Sequence, residues 1–90
     1  MQNTFIGRIE LLDYWLYVSV PMELSMPLKC FATNFGFIAI TAKVDNSSWQ
    51  TSLMPMGDGT HFIALPAKVR KKEKLSLGEE IEISFELRMR

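Results

Sequence analysis

The chain predicts a mainly β protein: six to seven short strands in a small closed or split β-barrel with short helical caps. Three observations carry this. Residues 80–87 alternate apolar and polar side chains without a break, as a strand with one buried face does. Clusters of Pro, Gly, Asp, Asn and Ser punctuate the chain at short intervals, which leaves no room for long helices. A strand–proline–helical turn–strand pattern also occurs twice. Strands this short bury little as an open sandwich, whereas closing the sheet removes its edges and lets short helices cover its ends.

Ninety residues make one domain, 1–90, with a single core. A hydrophobic share of 48% against 22% charged residues is that of a folded chain. Ten basic and ten acidic groups cancel, which removes the simplest argument for a nucleic-acid or membrane-surface partner. The charges are unevenly placed. Residues 1–65 hold three basic and five acidic groups, and residues 66–90 hold seven and five. Cys30 is the one cysteine, so no internal disulfide forms and a reducing cytoplasm is expected. The N-terminus has no signal-peptide pattern, and no stretch approaches the ~20 apolar residues of a membrane span.

Thr4–Glu10 reads as a strand with Phe5, Gly7 and Ile9 on one face and Ile6, Arg8 and Glu10 on the other. Leu11–Tyr14 is the expected reversal, although one bent strand over 4–20 is the alternative. Trp15–Val20 is β-rich, with Leu16, Val18 and Val20 sharing a face. Pro21 opens a helical cap near 21–28, of about one turn, which Pro27 ends or kinks. Phe37–Val44 resumes as a strand whose apolar Ile38-Ala39-Ile40 predicts cover on both sides. Asp45–Ser48 is a hairpin turn and Trp49–Met54 the return strand. Pro55–Gly59 turns again, and His61–Leu65 completes a three-stranded meander. A second cap follows near 66–74, with Val69 turned to the core. In the final strand Ile81, Ile83, Phe85 and Leu87 are expected inside, and Glu80, Glu82, Ser84 and Glu86 outside.

Laid on itself, the chain shows a repeat. Val18–Leu24 matches Ile63–Val69 at an offset of 45, and Ile38–Val44 matches Ile81–Leu87 at an offset of 43. Two similar units about a pseudo-twofold axis would produce this, and so would chance likeness between β-rich segments.

The run Trp49-Gln50-Thr51-Ser52-Leu53, the turn Gly57-Asp58-Gly59, then Leu65-Pro66-Ala67-Lys68-Val69-Arg70-Lys71 and Gly78-Glu79, with Val20-Pro21 upstream, carry a resemblance. They resemble a bacterial domain of unknown function found alone or ahead of a YdeI/OmpD-associated, bacteriocin-protection-like domain. Glu79 stands where that family usually has Asp, and Asp45–Ser48 where Asn-Gly is usual. The resemblance implies a double-split β-barrel with helical caps, and no activity, cofactor or catalytic residue. The Leu65–Arg70 and Leu75–Glu79 pattern also resembles half of an AbrB/MazE-type DNA-binding domain, which completes its barrel by dimerising. Here one chain carries both halves.

The inventory for chemistry is thin. Catalysis by a nucleophile needs a base and an orienting group beside it, yet His61 is the only histidine and Cys30 the only thiol. A structural role is the simpler one for both, with Cys30 a small buried hydrophobe. One His and one Cys do not supply a metal site, so neither metal nor cofactor is expected. Gly57-Asp58-Gly59 joins two strands and lacks the lysine and helix of a phosphate loop, so it is a turn. Lys68, Arg70, Lys71, Lys72 and Lys74 form the candidate binding patch, although a solvated helix face explains them as well. Trp49, Met54 and Met56 are the candidate pocket lining, soft and aromatic side chains that gap-filling would also account for. No enzymatic activity is expected. The expected function is a non-catalytic barrel that binds a protein or small ligand, with AbrB-like nucleic-acid binding through residues 66–74 as the alternative.

Overall fold

A computed structural model describes residues 2–33 and 35–88. Six strands run in the order β1 (Gln2–Leu12), β2 (Trp15–Val20), β3 (Ile38–Val44), β4 (Ser47–Pro55), β5 (His61–Ala64) and β6 (Glu80–Leu87). They close into a barrel with neighbours β1-β2-β5-β4-β3-β6, every pair antiparallel. Two short helices interrupt them: α1 (Met22–Ser25), which runs on as a 3-10 turn (Met26–Phe31), and α2 (Ala67–Lys72).

The two long strands make the corners. Residues 2–8 of β1 pair with β6 and residues 9–12 pair with β2. Likewise, residues 47–53 of β4 pair with β3, and Met54 and Pro55 pair with β5. At the β1 corner the inner strand face comes so close to β2 that a Cβ on Gly7 would collide with Val18 Cγ1.

All three expected reversals join antiparallel neighbours, and the first two are tighter than the residue types alone indicate. Leu12 pairs with Trp15 and Val44 with Ser47, so each turn has two residues. Asp13 (φ 56°) and Asp45 (φ 51°) take the left-handed backbone that Asp tolerates better than most residues. Ser47 and Ser48, expected in the turn, already belong to β4.

The repeat is visible in the register. Val18 pairs with Ile63, the residues that the offset of 45 equates. Ala42 pairs with Phe85, the residues that the offset of 43 equates. Each half is therefore strand, strand, helix, strand, related by a pseudo-twofold axis through these two pairs. The last strand of each half, β3 or β6, pairs with the other half's strands. Each half completes the other.

The core is the barrel interior: Phe5, Ile9, Val18, Val20, Ile38, Ile40, Ala42, Val44, Leu53, Ile63, Leu65, Ile81, Ile83 and Phe85. Phe5 and Phe85 meet edge to face at 6.3 Å. Glu80, Glu82 and Glu86 are exposed as expected.

Several expectations need correction. Leu87 is half-buried, since it closes β6 at the rim of the barrel. Ser84, expected on the wet face, is buried, because Thr4 and Lys43 pair with it from both neighbouring strands. Outside the barrel Ala39 and Thr41 are only half-buried, so β3 has a partial outer cover. Pro27 does not end the first cap. It sits in the first turn of the 3-10 segment, where a missing N–H is harmless, and the cap runs to Phe31. On that segment Cys30 is exposed, its Sγ 4.0 Å from the Pro27 carbonyl, while Leu28 packs against the core.

Candidate binding surfaces

Proline sets the position of α2. Pro66, with extended ψ, turns the chain out of β5 and leaves Val69 as the helix residue buried against the barrel. A 2.6 Å hydrogen bond from the Ser47 hydroxyl to Glu73 Oε2 ties the end of α2 to the start of β4. Between them lies a groove of about 380 Å³ lined by Asn46, Ser47, Ser48, Trp49, Pro66, Lys68, Val69 and Lys72. Lys68 and Lys72, one helical turn apart, share a face of α2. Trp49 packs against the core, and its indole Nε1 is shut from solvent with no hydrogen-bond partner.

The groove thus joins one predicted pocket residue, Trp49, to two of the five basic residues, Lys68 and Lys72. The other three part company. Arg70 Nε donates to the Leu65 carbonyl at 3.0 Å, which fastens the helix to the end of β5. Lys74 has left-handed backbone (φ 56°) just beyond the helix, and neither it nor the exposed Lys71 lines the groove.

Met54 lies at the other end of β4, five residues or about 17 Å from Trp49. There it lines a shallower hollow of about 220 Å³ with Leu12, Asp13, Trp15 and Phe62. Met56 is half-buried and lines neither. The hollow opens onto an exposed apolar hairpin tip: Leu11 is 53%, Leu12 45%, Tyr14 95% and Trp15 59% exposed. Beneath it Tyr17 packs edge to face on Phe62 at 5.3 Å. Burial, and next the Glu10 carboxylate beside it, push the Tyr17 hydroxyl above its usual pKa.

His61 is buried on the inner side of β5. Its Nε2 lies 3.3 Å from the Gly36 carbonyl and its Nδ1 has no partner. The Gly57-Asp58-Gly59 segment is a turn, both glycines having a φ of 97°. Hydrogen bonds from the Thr60 hydroxyl and backbone N–H hold the Asp58 carboxyl below its usual pKa.

Residue types alone did not single out Asn46, Ser47, Ser48 and Val69 as groove lining, because the hairpin and α2 meet only in the fold. The hairpin tip left a clearer trace, since Leu11, Leu12, Tyr14 and Trp15 surround a single turn-forming Asp13. Among the described residues no helix is long and apolar enough to cross a membrane.

No curated protein matches the chain. A family model does, over residues 6–85, which takes in all six strands in whole or part and both helices. The chain belongs to the family described as Domain of unknown function (DUF1905).

Proposed function

We propose that this barrel is a non-catalytic binding or accessory module, and that its partner is a protein docked on the β1–β2 hairpin. The exposure of four large apolar side chains around one two-residue turn carries this reading. Clustered apolar surface of that kind is characteristic of interaction sites, and Tyr and Trp are the residues most often found at their energetic centres. The tip also has a charge character. Between Arg8 and Lys29 the chain has no basic residue, while Glu10 and Asp13 flank the apolar side chains. A complementary partner presents an apolar hollow rimmed by Lys or Arg.

The two-half architecture supports kinship with double-split, AbrB-like barrels, and we place the module in a bacterial cytoplasm, where the exposed Cys30 thiol is compatible with reducing conditions. An accessory role beside a YdeI/OmpD-associated domain fits the same reading. Nucleic-acid binding is not favoured, because Arg70 is engaged by the Leu65 carbonyl and, of the basic cluster, only Lys68 and Lys72 line the groove.

The test is cross-linking through a photoreactive group at Tyr14, followed by purification of the captured protein and titration against the domain. The expected result is one-to-one binding that Trp15→Ser weakens about tenfold or more, as for an aromatic anchor. Unchanged affinity in that variant, or a domain that dimerises through this hairpin, would overturn the proposal.

A further inference from the structure

We infer that the groove between α2 and the start of β4 is a second binding site, for a small planar organic anion such as an aromatic carboxylate or phosphate monoester. It is separate from the hairpin tip, at the opposite end of β4. Its volume, about 380 Å³, lies in the range of small-molecule sites. Its chemistry is divided in the way such a ligand requires. Trp49, Pro66 and Val69 supply an apolar wall and an aromatic ring for the flat body of the ligand. Lys68 and Lys72 supply two ammonium groups from one helix face for its anionic end. Asn46 and Ser48 add neutral polar groups at the turn.

No carboxylate is among the residues that line the groove. Glu73, which accepts from the Ser47 hydroxyl, closes one end of it, and Asp45 lines the adjoining hollow with Thr4, Lys43, Glu82 and Ser84. Trp49 packs against the core with its indole N–H turned away from solvent, and it also lines the groove.

Phenyl phosphate, benzoate and phenol are the probes, and the Trp49 indole N–H resonance of the 15N-labelled chain is the readout, assigned by comparison with Trp15→Phe. Phenyl phosphate and benzoate are expected to shift it saturably, with Kd about 1 mM or tighter. Phenol, which lacks the anionic group, is expected to bind about tenfold more weakly or worse. Lys68→Ala with Lys72→Ala, both exposed on a helix surface, is expected to weaken the anions at least tenfold, and Lys68→Arg with Lys72→Arg to restore them. Any of three results overturns the inference: no saturable shift, equal binding of phenol, or anion binding indifferent to the alanine pair. Displacement of phenyl phosphate by duplex DNA, with a salt slope that Lys71→Ala also lowers, would instead assign the groove to nucleic acid.

Discussion

Ile83 is fully buried in the barrel, and the neighbouring Glu82 is exposed. Ile83→Ala is therefore expected to lower unfolding stability by about 2–5 kcal/mol, and Glu82→Ala by less than about 0.5 kcal/mol, measured by urea denaturation. This alternation was legible because period-two patterning states which face is inside. Ser84 was not, since its burial depends on Thr4 and Lys43 from strands far away in sequence. Tyr17 belongs with Ser84: it is on the outer face of β2, yet Phe62 and Glu10 cover it. Its raised pKa means that the folded state holds the phenol proton more tightly than the unfolded chain does. The stability this confers is fully present below the unfolded value of 10.0 and is lost as pH rises past it. In a Tyr14→Phe chain, where Tyr17 is the remaining tyrosine, absorbance at 295 nm is expected to titrate with a midpoint above 10.0. A midpoint at or below that value would show that the ring is solvated.

Among the elements, the strands and the place of both caps were legible, and the length of the first cap was not. Pro27 reads as a helix stop or kink, and a proline at the start of a 3-10 turn has no N–H to lose and changes the helix type while the cap runs on. The end of β6 holds a contact that sequence patterning does not reveal. Arg88 Nε donates to the Ile40 carbonyl at 2.8 Å and one terminal nitrogen to the Thr51 carbonyl at 2.9 Å. Ile40 and Thr51 are paired residues of β3 and β4, so one guanidinium bridges three strands where the barrel closes. Removing it leaves two half-buried carbonyls without this donor. Arg88→Ala is expected to lower stability by about 1.5–3 kcal/mol, the range for hydrogen bonds from charged groups. Arg88→Lys is expected to retain little of it, because one ammonium nitrogen does not reproduce the fixed planar spacing of the two guanidinium nitrogens that reach these carbonyls. Wild-type thermal stability in the Arg88→Lys chain would reduce the contact to simple charge.

For the whole molecule, the repeat was the most informative feature of the sequence, and its offsets name the residues that meet on the pseudo-twofold axis. Its two units, both within ninety residues, already pointed to one chain that carries both halves of the barrel. The strand pairings place both halves in one chain: β3 and β6 cross over, each completing the other half, and both the groove and the hairpin tip lie on the outside. The binding surfaces were only partly legible, because Trp49 is distant in sequence from Lys68 and Lys72 and the fold brings them together, with Val69 buried against the barrel and Ser47 bonded to Glu73. Isotope-filtered NMR on an equal mixture of labelled and unlabelled chains tests the one-chain barrel most directly. The predicted result is that the backbone contacts Ala42–Phe85 and Val18–Ile63 are found within single molecules, at every protein concentration. Finding them between labelled and unlabelled chains would mean that the barrel is completed by a second copy, and would contradict it.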